Sequence, residues 1–402
     1  MNEEVDLSRR DVVTGLDSVL WEWIAGGSEG GVAAWLEREI DEGGGPKRLT
    51  LDAWLVCARL AAAAKKRRGD CSADLDDRIV DLIHAAARFD RPGGGILTQH
   101  TTLQDVQTDG LKLLGRKPTS LKAASRGIHG GWASPTQVLA CLRDLEGTAL
   151  AFDHRRPAEP GRLELFLGGQ SWLGPGWTVA GAQDAKARSR LKTWATQSRA
   201  ELFEWRTTSP GFAATHTLAL FDEIGLGLIA ALVDAAGPGT EAGMRLAIPD
   251  GIKPSACPGS RAIQLAAGGK RPLVQLLPLG LPCRDYPTER GRFVAESGEL
   301  VLAHGQPGKK TWLPLLVSWN PKRRGKPVNW RSLTITEKGK YVAPERASAA
   351  RITWGRDETY LIYRSHAKPA LRAVLGHCTT ARFLFGRFKQ DGAVEPILKL
   401  DD

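Results

Sequence analysis

Three groups of residues in this chain have the types and spacing to do chemistry. The first pairs His216, inside the alternating run Thr215-His216-Thr217-Leu218-Ala219-Leu220, with Asp234, which closes the apolar run Leu226–Val233. An imidazole on an inward strand face can ligate a metal or carry a proton, and it can equally be a hydrogen-bonded core histidine. Asp234 can work with it, or can end the strand with an Asx-type bond. The second group is Tyr363-Arg364-Ser365-His366. A phenol and an imidazole can serve as acid and base while a guanidinium holds a carboxylate. On a strand, however, Tyr363 and Ser365 share one face and Arg364 and His366 the other, which splits the pair. The third is Trp319 to Trp330, WNPKRRGKPVNW, where two tryptophans flank Lys322, Arg323, Arg324 and Lys326 in a Pro/Gly loop. Indoles stack on the apolar faces of sugar rings, and a basic cluster takes sulfate, uronate or phosphate. The plainer reading is a solvated basic loop beside two core tryptophans.

The elements that must position these groups fall into two textures. Apolar residues recur at helical spacing early in the chain: Val12, Leu16, Val19, Leu20 and Trp23; Val32, Trp35, Leu36 and Ile40; Leu51, Trp54, Leu55, Ala58 and Ala62, ending in the basic run Lys65–Arg68; and Leu75, Ile79, Leu82, Ile83 and Ala86. A fifth helix is expected between Leu103 and Leu114. Residues 137–145 read as a short helix or as a first strand. After Gly147 the period becomes two. The stretch Ala200–Asp234 reads as three strands of an antiparallel meander, and hairpins are expected at Gly168-Gly169, at Gly268-Gly269 and, as a type I′ turn, at Asp391-Gly392. A meander with one apolar face must bury it against a second sheet. The expected fold is therefore α+β and multidomain: a helical domain over 1–135 followed by a large antiparallel β-sandwich over 136–402.

This order, with Thr215-His216-Thr217-Leu218 and Leu228-Ile229-Ala230-Ala231-Leu232-Val233-Asp234, resembles the heparinase II/III-like polysaccharide lyases. Trp312–Trp319 and Tyr363-Arg364-Ser365 are also similar to segments of that superfamily. The resemblance implies an N-terminal α/α toroid, here partial, joined to a β-sandwich, and an acidic, uronate-containing polysaccharide or oligosaccharide as ligand. It implies β-elimination, in which the uronate carboxylate is neutralised, a base removes the C5 proton and an acid protonates the leaving oxygen. His216, Tyr363 and Tyr286 are the candidates for proton transfer, and Trp319, Lys322, Arg323, Arg324, Lys326, Trp330 and Arg364 for binding. Some relatives hold zinc between a sandwich His, its Asp and another His; His216 and Asp234 match two of those ligands, an incomplete set. The chain departs from the pattern in having no tyrosine before Tyr286. A non-catalytic interaction protein of the same fold is the alternative.

Bulk composition bounds these readings. The chain has 402 residues, 42% hydrophobic and 25% charged, as expected of two or three globular domains. A net charge of +10 suits polyanionic partners. Nucleic acid is disfavoured because no known binding module is visible. No P-loop, strand-linked dinucleotide-binding glycine pattern or HExxH occurs, so no cofactor is expected. The six cysteines, at 57, 71, 141, 257, 283 and 378, include no CxxC pair and read as free thiols. No apolar run of membrane-spanning length occurs, and without an apolar leader segment the expected compartment is the cytoplasm.

Overall fold

A computed structural model describes residues 16, 18–20, 22–47, 49, 51–89, 132–134, 138–143, 148–154, 159–180, 186–235, 242–268, 273–284, 291–304, 310–324, 326–356 and 358–401. The chain divides into two compact units, Met1–Arg155 with Phe166–Gln170, and Arg156–Leu165 with Ser171–Asp402. Tyr286 and the helix expected between Leu103 and Leu114 lie outside the described residues.

In the first unit, Leu16, Leu20 and Trp23 are helical and buried, followed by α1 (Gly30–Glu39), α2 (Leu51–Arg68) and α3 (Ala73–Ala87). The described positions at helical spacing pack into one core; Val12 lies outside the described residues. Trp54 anchors it, stacked on Trp132 at 5.8 Å and edge-on to Phe89 at 5.7 Å. Lys65, in the basic last turn of α2, pairs with Asp76 at the start of α3. Strands β1 (Trp132–Ala133), β2 (Leu139–Arg143) and β3 (Ala149–Asp153) follow, pairing antiparallel in sequence order. Within the stretch read as a short helix or a first strand, Leu139–Arg143 is a strand.

The hairpin β4 (Arg162–Leu167) and β5 (Gln170–Leu173) turns at Gly168-Gly169, whose φ values of 57° and 84° require the left-handed region. The second unit continues with β6 (Trp177–Val179), β7 (Arg188–Gln197), β8 (Ala200–Ser209), β9 (Phe212–Phe221), β10 (Leu226–Ala235), β11 (Ala242–Ala247), β12 (Ile252–Ala256), β13 (Ile263–Ala267), β14 (Val274–Pro278), β15 (Arg292–Glu296), β16 (Glu299–His304) and β17 (Lys310–Ser318). Its last third contains β18 (Val328–Ser332), β19 (Ile335–Glu337), β20 (Lys340–Tyr341), β21 (Ala347–Trp354), β22 (Glu358–Ser365), β23 (Arg372–Val374), β24 (His377–Thr379), β25 (Phe383–Phe388) and β26 (Val394–Leu400).

Two large antiparallel sheets form the sandwich: β12-β13-β14-β17-β10-β9-β8-β7 and β18-β21-β22-β25-β26. The meander expected over Ala200–Asp234 is β8-β9-β10, at the centre of the larger sheet. Inward residues alternate along each strand: Ala200 and Leu202, Ala219 and Phe221, Leu226, Leu228 and Ala230, and across the gap Ile352, Tyr360, Ile362, Phe383 and Phe385. Phe385 stacks on Phe221 at 4.1 Å and on Tyr360 at 5.5 Å, joining the two layers. A four-stranded sheet, β15-β16-β11-β6, brings Trp177 onto the outer face of the larger sheet. Another, β20-β19-β23-β24, packs Ile335 and Val374 with Leu361 and Tyr363 of the smaller sheet's outer face. The protein is therefore α+β, with a large antiparallel β-sandwich. No described helix is long and apolar enough to cross a membrane.

Two local features matter later. The hairpin between β25 and β26 is not type I′. Gly392 alone is left-handed, at φ 83°, and its N–H closes the turn on the Lys389 carbonyl at 3.0 Å, leaving Asp391 to accept the Ala393 N–H. Near the end of β26, the Gln197 side chain donates to the Lys399 carbonyl and accepts its N–H, at 2.7 and 2.8 Å.

Phe385→Ala removes a ring that is 0% exposed and bridges both layers. We expect it to cost about 3–5 kcal/mol, read as a lower urea midpoint with an unchanged m-value.

Candidate functional site

The same alternation that builds the sandwich core also builds a polar end to it. On β8, the face carrying Ala200 and Leu202 continues to Glu204 and Arg206. On β9, the face of Phe221 and Ala219 continues to Thr217 and Thr215. On β10 it reaches Asp234, on β17 Lys310, and on β22 the face of Tyr360 and Ile362 continues to Arg364 and His366. Apolar side chains thus give way to charged ones at one end of the gap between the sheets, around a cavity of about 300 Å³. Lys192, Arg206, Lys310, Arg364, Lys368 and Arg382 line it, and Asp234 is the carboxylate among its lining residues. Lys192 reaches it from a bulge in β7, where the register slips between Leu191 and Thr193.

Glu204 lies beneath this cluster and is 1% exposed. It binds Arg364 through Oε1 and Arg382 through Oε2, the latter at 2.9 Å, and accepts the Thr217 hydroxyl at 2.9 Å. Burial alone would raise its pKa, but the two guanidiniums and these hydrogen bonds hold it below the usual glutamate range. Arg364 also donates to Thr217 at 3.0 Å and Arg382 to Thr193 at 2.8 Å. Lys310 lies 3.9 Å from Asp234 and donates to the His366 carbonyl at 3.2 Å. Arg206 and Lys368 have no carboxylate partner among the described residues.

The field of this site is visible in its bases. Desolvation, with Arg382, Arg206 and Arg364 adding to it against the pull of Glu204, pushes the Lys192 ammonium below the usual lysine range. Burial, reinforced by Arg364, Lys310 and Arg372, drives His366 well below the ordinary histidine value. His366 is therefore a neutral imidazole at physiological pH, with Nε2 at 2.9 Å from the Ser348 hydroxyl. Its loop is held from behind by Arg372, which is 1% exposed and donates to Ser365, Tyr363, Glu337 and the Lys368 carbonyl.

The residues singled out in the sequence are distributed differently from the expectation. His216 and Asp234 do lie on neighbouring strands, β9 and β10. But Asp234 pairs with Ala213, an odd number of positions from His216, so the two side chains project from opposite faces and cannot share a metal. His216 is stacked on Trp205 at 4.7 Å and edge-on to Trp177 at 5.4 Å, 3% exposed. No His/Cys/Asp/Glu cluster able to hold a metal occurs among the described residues. Tyr363 is fully buried on the far face of β22 from Arg364 and donates nothing to the cavity.

The basic loop also divides. Arg323 is 3% exposed, grips Glu358 at 2.6 and 3.1 Å and lies 4.5 Å over Trp354, so it is a structural cation. Trp330 is 2% exposed and its indole N–H donates to the Leu281 carbonyl. Trp319 is half-buried over Gly227, while Lys322, Arg324 and Lys326 are exposed. This loop follows Ser318, at the other end of β17 from Lys310, roughly 25 Å away at ~3.3 Å per strand residue. Of the residues proposed for binding, Arg364 alone lines the cavity. His366 belongs to the YRSH group read from the sequence, whereas Lys192, Glu204, Arg206, Lys310, Lys368 and Arg382 carry no such expectation. The signal for several of them is charge on the inward parity of a strand, as at Glu204 and Arg206 after Ala200 and Leu202.

The fold itself has solved counterparts. A heparan sulfate lyase from Pedobacter heparinus aligns over 89% of this chain and 66% of its own, with a TM-score of 0.62 at 10% identity. A heparinase III aligns over 89% and 65%, with the same score and identity. The chain thus spans about two thirds of the length of either, and its fold is heparinase-like, with the β-sandwich region. No family model matches the sequence. No curated protein matches it either.

Two outcomes follow for the site. Glu204→Gln should cost about 3–5 kcal/mol, because Arg364 and Arg382 lose their counter-charge, and denaturant unfolding reads this directly. For His366 the folded state binds the proton less well than the unfolded chain. Stability should therefore fall as pH drops below about 6.5, the unperturbed histidine value. The His366→Gln variant should show a flatter acid limb in thermal melts across that window.

Proposed function

We propose that this chain binds an acidic, uronate-containing polysaccharide at the cationic end of its sandwich. The observation that carries the reading is the cavity itself: six cations face a space of about 300 Å³ with Asp234 as the lining carboxylate, and the second carboxylate, Glu204, is already consumed beneath them. Such a space suits a small anionic group rather than an apolar one. The heparinase-like fold supports a sugar polymer as the source of that anion.

Elimination is the finer part of the proposal. Arg206 and Arg364 are placed to neutralise a carboxylate, and His366 is the neutral base in the same lining. Its lowered proton affinity makes it a weak base, and Tyr363 is turned away, so the acid of the pair would have to come from outside the described cavity. Binding therefore precedes cleavage in this reading, and the two are separable.

Calorimetry against uronate polymers with and without sulfate, at low ionic strength, tests the first part. Arg206→Gln and Lys368→Gln, which disturb no ion pair, should each weaken binding by up to about tenfold, or ~1.4 kcal/mol. Wild-type protein that binds none of these polymers would sink the reading. Ultraviolet absorbance of an unsaturated uronide, lost in His366→Gln, tests cleavage.

A further inference from the structure

The far end of the sandwich carries a second set of unneutralised cations. On the outer face of the smaller sheet, Arg331 of β18 lies directly across from Arg351 of β21. Like charges in that position repel, and neither has a carboxylate partner among the described residues. Arg356 follows in the turn after β21, also without one. Gly355 in that turn donates to the Pro327 carbonyl, beside the exposed Lys326 of the basic loop.

Two depressions meet at Arg351. One, of about 1,050 Å³, runs past Arg356, Thr359 and Phe388 to Lys389; the other, of about 350 Å³, is bordered by Asn329, Arg331 and Thr353. Arg351 lies 5.6 Å over the Phe388 ring, which fixes its guanidinium in the groove floor. The carboxylates bordering the larger depression are Asp391 and Glu395. Asp391 accepts the Ala393 N–H, and Glu395 lies 3.5 Å from Lys389. That leaves Arg331, Arg351 and Arg356 uncompensated around two depressions that share Arg351.

We propose that this outer face is a second anion-binding track, taking a sulfated or carboxylated stretch of a sugar polymer separately from the cavity at the other end. An anion lying between Arg331 and Arg351 converts a cross-strand repulsion into two charge-assisted contacts. Arg323, clamped to Glu358, fixes the loop that brings Lys326 to the groove's edge. The identity of the ligand rests on the polysaccharide reading above; the existence of a second site does not depend on the cavity.

The test is calorimetry of the full chain with a sulfated, uronate-containing hexasaccharide. Wild type should show two binding events. The R331Q/R351Q/R356Q variant should lose one of them, weakened at least about tenfold, while R206Q/K368Q loses the other. Because Arg351 packs on Phe388, R331Q/R356Q serves as the milder variant, expected to weaken the same event with no fall in melting temperature. A titration of R331Q/R356Q and of the triple variant indistinguishable from wild type overturns the second site and leaves the cavity reading standing. A single event abolished by R206Q/K368Q does the same. A single event abolished by the arginine variants, with R206Q/K368Q unaffected, supports the track and removes the cavity. Tighter capture of a single-stranded oligonucleotide than of the hexasaccharide at the groove overturns the sugar polymer as its ligand.

Discussion

One buried carboxylate organises the upper end of the sandwich. Glu204 comes from the larger sheet, Arg364 from the smaller one, and Arg382 from the residue before β25. Two cations on one anion leave a positive remainder at the floor of the cavity. Without Glu204, neither guanidinium could be held this deep, since an unpaired buried charge is far costlier than a paired one. The same interaction fixes the spacing of the sheets where their apolar contacts run out. The surrounding cations then follow the strand alternation outward; burial first, with their field added to it, leaves Lys192 and His366 both holding protons poorly.

Much of this architecture was legible in the residues. The period-two runs around His216 and Asp234 place β9 and β10 side by side, and the helical spacing of Trp54, Leu55 and Ala58 places α2 in its core. The turn at Asp391-Gly392 departs from type I′ because a short Asp-Gly pair fits both a two-residue turn and a longer one ending in a left-handed glycine; the choice depends on which carbonyl the Gly392 N–H meets. His216 and Asp234 part for a subtler reason. Adjacency of strands follows from sequence order, but the face a side chain takes relative to a neighbour depends on register, and an odd offset separates them. The YRSH motif shows the opposite case. Its alternation alone separates Tyr363 from Arg364, and the fold keeps them apart.

The basic loop shows why composition alone cannot assign a binding role. Lys322, Arg323, Arg324 and Lys326 look alike in sequence. Only Arg323 has Glu358, Tyr360 and Ser318 within reach, and it is drawn into the core as a tie between the loop and β22. Its neighbours stay in water. The residues that converge on the cavity, by contrast, are far apart in sequence, from Lys192 to Arg382, and only strand pairing collects them.

The amide of Gln197 has an effect beyond the contact itself. Strand β26 is the border of its sheet, and such a border offers free N–H and C=O groups to any extended peptide that drifts alongside. By occupying both groups of Lys399, Gln197 acts as a false strand one residue long. A foreign segment zipping along β26 meets a filled position at Lys399, so the edge open to such pairing ends short of the strand's own end.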